Sequence, residues 1–458
     1  MERYSPRVLA FAAVLAAITP ACRKAETPTD VQPKPEHVVV LHFNDLHGAL
    51  ENASEIACVV ERVRRECEQK GCHVIVTNGG DLFGNTSVSE KFKGKAEVDF
   101  VNALGVSASV PGNHDFDYGQ EVFKERMRQG KNWVAANLYE KDTGEKPLPS
   151  YVVVKAGSAK IGIAGFTFPL KGDQAGDYIF DDPLATAKEL RLILARESDV
   201  QIALAHLEDP KEREMAEQIT DFDAVVGGHD HRSPFDYCDT TVEATPVYET
   251  SSNGEYIARL DMLVDRRLVI HTKQKLIPTA GCRDTNSAVL KALAPYKDVI
   301  EGAKKVVGFS KEQLLNNRDG KDGQNGANTF VAKVMLECTR GAEFAMINAT
   351  GVRSDIPKGD ITSEHIVRLV FDNKIVVIEL TGAEIKSAMQ ALRNRDRYFA
   401  LAGFTHQTAL DPDGKYKVAT IDFLIDGKGP FSKAKIVGKG KPLREAITDY
   451  LRSHMNGI

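Results

Sequence analysis

From residue 37 onward, short apolar runs recur along the chain, and each stops abruptly on polar residues. The runs at 37–41, 73–76, 108–110, 201–205 and 223–226 are too short for helices and are bounded by Gly, Asn, Asp or Pro, so they read as buried strands. Between them the period changes: Ile56, Val59, Val60, Val63 and Cys67 recur at helical spacing, and so do Val98, Val101 and Leu104. Strand and helix in alternation predict βαβ units. Further strands are expected at 132–139, 151–155 and 160–166, a helix at 183–198, and antiparallel strands across 245–277. For residues 37–285 the expectation is an α/β fold, a two-sheet α/β sandwich.

Residues 286–307 have helical character and none of the polar run ends, which predicts a linker helix. Beyond it a second, α+β domain is expected over 308–458. It has a glycine-rich loop at 319–326, helices at 328–339, 383–393 and 443–454, and strands at 344–348, 375–380 and near 417–423. No internal repeat is visible. Ahead of the first strand, Arg3 and Arg7 precede an apolar run at 8–18 that is too short to span a bilayer. Residues 1–22 therefore read as a signal peptide, and 23–36, with Pro28, Pro33 and Pro35, as a flexible tether.

At 458 residues, 42% hydrophobic and 27% charged, the chain has room for two cores of ordinary composition. A net charge of −5 without a Lys/Arg block excludes an electrostatic grip on a nucleic-acid polymer, though not a small anionic substrate. Six cysteines follow the signal segment: Cys58, Cys67, Cys72, Cys238, Cys282 and Cys338. An even number in an exported chain points to disulfides, whose pairing the sequence does not assign, with Cys67 to Cys72 the most plausible local bridge. None has the Cys-x-x-Cys spacing of a zinc site.

The polar run ends are metal-competent. Asp45 and His47 are two apart, which on an extended segment would turn both side chains to one face, and His229 and His231 repeat that spacing after Gly227-Gly228. Asp81 follows another Gly-Gly and offers two oxygens; Asn113 and His206 complete an oxygen and nitrogen set without sulfur, suited to manganese, zinc, cobalt or iron. Each residue has an ordinary alternative: Asp45 as a helix cap, Asp81 as a turn former, His206 as a satisfied core histidine. Seven such residues in order are too many for one ion and suit two divalent ions that share Asp81, the arrangement that serves in-line displacement at phosphorus.

The ordered signature Asp45-x-His47, Gly80-Asp81, Gly112-Asn113-His114-Asp115, His206, Gly228-His229-x-His231 is similar to the calcineurin-like metallophosphatase superfamily. Asn44-Asp45-Leu46-His47-Gly48 and Asn113-His114-Asp115-Phe116-Asp117-Tyr118-Gly119 resemble the bacterial periplasmic 5′-nucleotidase family within it. The resemblance implies one metal on Asp45, His47, Asp81 and His231 and a second on Asp81, Asn113, His206 and His229. It makes His114 and Asp117 the catalytic pair, His114 facing the phosphate and Asp117 orienting its ring, with water rather than a serine or cysteine as nucleophile. It also makes the C-terminal domain the nucleotide pocket, with Arg353 on the phosphate side, Phe371 and Phe423 as rings that sandwich a base, and Asn373 beside the first. For the two phenylalanines, ordinary core packing is the alternative. Where the family usually has Gly-Gly-Asp-Gly, this chain has Asp426-Gly427-Lys428-Gly429-Pro430.

Thr19-Pro20-Ala21-Cys22 resembles a lipoprotein lipobox with Thr19 in place of the usual Leu, which implies a possible lipid anchor at Cys22 as the one membrane contact. The function expected is an exported, periplasmic or envelope-bound two-metal phosphomonoesterase acting on nucleoside 5′-monophosphates or similar small phosphate esters. The alternatives are hydrolysis of cyclic nucleotides, nucleotide sugars or a sulfur ester on the same scaffold, or nucleotide binding without turnover.

Overall fold

The first apolar run becomes the middle strand of a five-stranded sheet. The computed structural model describes residues 34–231, 241–242, 245–283, 286–316, 326–393, 398–426, 429–454 and 457–458. In it Glu36–Phe43 pairs in parallel with Cys72–Asn78 and antiparallel with Tyr256–Asp265; Ala108–Ser109 and Leu268–Pro278 form the two edges. The first strand is buried on both faces. Val38 and Val40 meet the second sheet, while Val39, Leu41 and Phe43 meet helices, which is why its run is continuously apolar. Helix Ala53–Lys70 makes the crossover between the first two parallel strands and buries Ile56, Val59, Val60, Val63 and Cys67. Its end is set by Gly71, which takes a left-handed conformation at φ 72°.

The second sheet has six strands in the order Thr241–Val242, Thr245–Tyr248, Ala224–Val226, Val200–Ala205, Ala159–Phe166, Tyr151–Ala156. Ile161, Ile163, Ile202, Leu204 and Val226 pack from it against Val38, Val40, Ile75, Leu260 and Met262 of the first, and helices Pro183–Glu197 and Asp209–Gln218 cover its outer side. The result is a two-sheet α/β sandwich with helices outside. A separate apolar core lies in the C-terminal half, around helix Gly326–Glu337 and a five-stranded sheet containing Phe344–Asn348, Lys374–Thr381 and Lys415–Ile421. Residues 35–458 form one compact unit.

Several expectations change. Only Leu138–Glu140 of the run 132–139 is a strand, because the chain ahead of it touches the first sheet through a single bridge between Ser109 and Trp133 and then turns at residues 136–137. The stretch 245–277 is divided: Thr245–Tyr248 runs parallel to Ala224–Val226 in the second sheet, and the rest is an antiparallel hairpin on the first. The linker is two helices, Ser287–Leu293 and Lys297–Ala303, interrupted at Pro295, whose ring cannot continue a regular helical ladder. They pack on the N-terminal half, where Val289, Leu293 and Tyr296 join the core of the first helix.

Cys67 bonds to Cys72 across the helix end, and Cys58 bonds to Cys282, joining that helix to the chain beyond the hairpin. Cys338 is free. The signal segment and most of the tether, Cys22, Cys238, most of the glycine-rich loop at 319–326, and Gly427-Lys428 lie outside the described residues. Among the described residues no helix is long and apolar enough to cross a membrane.

Candidate metal centre

The loops that leave the parallel strands of both sheets meet at one end of the sandwich, where open α/β sheets keep their ligands. Asp45 and His47 follow the strand that ends at Phe43, Asp81 the one that ends at Asn78, His206 the one that ends at Ala205, and His229 and His231 the one that ends at Val226. Close approach of these loops depends on glycine. A Cβ on Gly112 would run into the Asp81 carboxylate, and one on Gly228 would lie 2.8 Å from Asp45 Oδ2.

The backbone is not extended here. Ten described residues other than glycine have positive φ, and five of them are Asp45, His47, Asp81, His229 and His231, at 50°, 46°, 47°, 98° and 50°. The same-face expectation for the two-apart pairs is therefore wrong in its cause, and His229 and His231 turn to different clusters. A left-handed residue with a side chain costs about 1–3 kcal/mol, and such strain concentrates where function fixes the geometry.

Two groups of side chains result. Asp45, His47 and His231 converge: the Nε2 atoms of His47 and His231 are 2.8 Å apart, and Asp45 Oδ1 lies 3.0 Å from His231 and 3.5 Å from His47. Asp81, His206 and His229 form the second, with His206 Nε2 and His229 Nδ1 at 3.3 Å and Asn113 Oδ1 at 3.2 and 2.9 Å from them. Asp81 stands between the groups, its Oδ2 3.4 Å from His206 and 3.9 Å from His47, while its Oδ1 accepts the His114 N–H. Imidazole nitrogens turned on one another around buried carboxylates are donor atoms gathered about a point. Such a set fits a divalent cation in each group.

Electrostatics and outer contacts agree. Burial opposes ionisation of Asp45 and Asp81, yet the histidines around them hold both carboxyls well below the usual range. Burial likewise opposes a charged His206, and Asp81 outweighs it, raising the ring to about 10. His206 Nδ1–H donates to the Gly79 carbonyl at 2.7 Å, which leaves Nε2 for the cluster, and Phe168 stacks on His229 at 4.6 Å.

His114 lies beside this centre, its ring 5.3 Å from that of His47, with Nδ1 2.6 Å from Asp117 Oδ2. Burial disfavours its charged form, but the Asp117 hydrogen bond and the charges of Asp81 and Asp117 win and raise its pKa. From the C-terminal half, the positive charge of Arg353 is near enough to act against that of His114. Arg353 also lies over the Phe371 ring at 4.8 Å. Phe371 and Phe423 are 41% and 64% exposed, which removes core packing as their explanation. Their loops are tied where Asp422 Oδ1 accepts the Lys374 N–H, while the Asn373 carbonyl accepts the Leu443 N–H.

Sequence reasoning passed over three buried residues that position the centre. His42, 1% exposed, accepts at Nδ1 from Thr77 and donates from Nε2 to the Gly227 carbonyl at 2.8 Å, joining the two sheets; burial pushes its pKa down to about 4, so the ring stays neutral. Asn44 donates to Asp45 Oδ2 and accepts from Thr250. Asp115 accepts the N–H groups of Phe83 and Gly112. A polar residue inside or just after an apolar run was the available signal.

A two-layer sandwich with two nitrogen-and-oxygen clusters at its strand ends defines a class, the metal-dependent phosphoester hydrolases. Comparison with known proteins places the chain more narrowly: residues 38–233 match the calcineurin-like phosphoesterase family and residues 306–407 the 5′-nucleotidase C-terminal domain. Residues 38–233 therefore belong to the calcineurin-like phosphoesterases, a family whose chemistry uses divalent metal ions, and this second domain follows them. It is 24% identical over 503 residues to the trifunctional nucleotide phosphoesterase protein YfkN of Bacillus subtilis, a match covering 92% of this chain and 34% of that protein, so the chain spans about a third of it. It is 24% identical to a 5′-nucleotidase of Vibrio parahaemolyticus, covering 91% of this chain and 89% of the relative. Its fold is similar to that of a 5′-nucleotidase precursor from Thermus thermophilus, with a TM-score of 0.71, 22% identity, and coverage of 92% and 97% of the two chains.

Proposed function

We propose that the chain is an exported phosphomonoesterase that hydrolyses nucleoside 5′-monophosphates or closely similar small phosphate esters. The observation that carries this reading is that Arg353, from the C-terminal half, lies over the exposed Phe371 ring at 4.8 Å and within electrostatic reach of His114 at the metal centre of the other half. An anionic group held between them would leave the rest of its molecule on the side of the aromatic rings.

In this reading one ion is held by Asp45, His47, Asp81 and His231 and the other by Asp81, Asn113, His206 and His229. Two divalent ions bound there supply charge neutralisation at the phosphoryl oxygens and activation of water. Manganese, zinc, cobalt and iron all suit the donors. The chain's own groups do the rest. His114, its ring oriented and its charged form favoured by the Asp117 hydrogen bond, offers its other ring N–H to the phosphate and then to the departing oxygen. Arg353 binds a further phosphoryl oxygen and fixes orientation. Phe371 and Phe423 give a base two π faces, and Asn373 stands beside them.

Export is supported by the charged-then-apolar segment at 1–22 and by the Cys58–Cys282 and Cys67–Cys72 bonds, which persist in oxidising compartments. A lipid anchor at Cys22 belongs to the same proposal. The test is product release from nucleoside monophosphates, cyclic nucleotides and nucleotide sugars with manganese, zinc or cobalt added. Monophosphates should be the fastest class; a higher kcat/KM for either of the others would replace the substrate assignment, and no turnover of any would leave a binding protein.

A further inference from the structure

Helix Asp209–Gln218 turns one acid inward. Glu212 is completely buried, and it meets both of the loops that carry His206 and His229. A Cβ on Gly227 would run into both of its carboxyl oxygens, so the carboxyl faces that glycine at close range. The N–H groups of Leu207 and Gly228 lie near enough to favour its ionised form. Each is next in sequence to a candidate ligand, Leu207 after His206 and Gly228 before His229.

The remainder of the Gly227-Gly228 turn is pinned to the strands. The Gly227 N–H donates to the Tyr248 carbonyl at 2.7 Å, the Gly227 carbonyl accepts from His42 at 2.8 Å, and the His229 N–H donates to Asp45 Oδ2 at 2.8 Å. Two acids join the turn to the loop after His206: exposed Asp230, which accepts the Asp209 N–H at 2.8 Å, and buried Glu212.

Packing alone does not explain a carboxyl in the second of these places. Burial and the charge of Glu249, itself 3% exposed, hold the Glu212 carboxyl well above its ordinary pKa, and no side chain among the described residues donates to either acid. A buried polar group without such partners costs stability, and a methionine would fill nearly the same space without that cost. An apolar side chain cannot accept from main-chain N–H groups.

We propose that Glu212 is a positioning residue for the second cation: its oxygens accept from the N–H groups of Leu207 and Gly228 and thereby hold His206 and His229 at the spacing at which their ring nitrogens face one ion. The inference rests on the two-ion reading above.

Chelator competition on the full-length, manganese-loaded protein tests it, with affinities read for each ion. The parent should hold two ions; fewer than two in the parent would end the two-ion reading itself, before any variant is compared. Glu212→Met should weaken one ion by about 10–100-fold, the scale of a lost contact behind a metal ligand, and hardly change the other. Glu212→Gln keeps an acceptor oxygen and should lose clearly less. The metal-free Glu212→Met protein should melt no lower than the metal-free parent, because an apolar chain has replaced a buried acid. Parent-like affinity for both ions in Glu212→Met overturns the positioning role. Equal weakening of both ions together with a lower melting temperature also overturns it, since that marks a residue that only supports the fold. A Gln variant as weak as the Met variant overturns the acceptor assignment.

Discussion

Asp81 carries the most at the scale of single residues, because its two oxygens face different partners: one accepts from the His114 backbone and the other looks toward His206 and His47. Asp81→Ala should strip both ions rather than one, and metal analysis of the purified variant with one ion fully retained would contradict a bridging role. His114→Ala should leave both ions in place and slow the chemical step by about 10² to 10⁴, the scale of a lost acid–base group; a variant with near-normal turnover would reduce His114 to a turn residue. The candidate ligands were legible because metal-competent types recur in order at strand ends. Their conformation was not. Left-handed backbone at Asp45, His47, Asp81, His229 and His231 is imposed by the packing of loops from two sheets, and nothing in the adjoining residues encodes it. His42 was missed for a related reason, since one polar residue ending an apolar run looks the same whether it faces water or the opposite sheet.

Among the elements, helix Lys95–Leu104 does more than cover the sheet. Its Glu97 is fully buried and accepts a hydrogen bond from Ser89, whose hydroxyl also receives the Gly84 N–H, in the loop packed against Gly48 next to His47. Burial raises the Glu97 carboxyl from 4.5 to about 7. For an acid shifted upward, the fold favours the protonated form, so the cost is absent below the unfolded pKa, grows as pH climbs toward about 7 and is constant above. Its ceiling is about 3 kcal/mol at 1.36 kcal/mol per pKa unit. Glu97→Gln should therefore gain stability relative to the parent at about pH 8 and gain little at about pH 4.5. Thermal unfolding of both proteins at the two pH values checks this, and an equal difference at each would mean that Glu97 titrates normally. Element types with a strong period were readable: the helix carrying Ile56 to Cys67, and the twice-buried first strand. Misreadings fell where local pattern was overruled, as at 132–137, whose apolar residues fill space between layers without joining a ladder, and at Pro295, which divides an otherwise helical stretch.

The resemblance implied that the two halves share a substrate, but the contacts that join them were not legible, because they are written in pairs far apart in sequence. Arg444 makes a two-pronged ion pair with Glu90 at 2.6 and 2.7 Å, Arg368 pairs with Glu51 at 2.6 Å, and Asn85 donates to the Val367 carbonyl, so helices of the C-terminal half sit on the short helices and loop that follow the metal-centre residues His47 and Asp81. Arg353 is thereby brought into electrostatic reach of His114. If the substrate spans this junction, binding and chemistry can be separated by mutation. Phe423→Ala should weaken nucleotide binding by about 1–3 kcal/mol, the worth of one stacked base. Hydrolysis of a small aryl phosphate that cannot reach the ring should hardly change, since His114 and the candidate ligands are untouched. At 64% exposure, Phe423 contributes little to the core, so the substitution should not unfold the domain. The ratio of the two activities carries the test: equal losses on both substrates would indicate damage to the fold, and no loss on either would mean that the substrate reaches the metals without using the C-terminal ring.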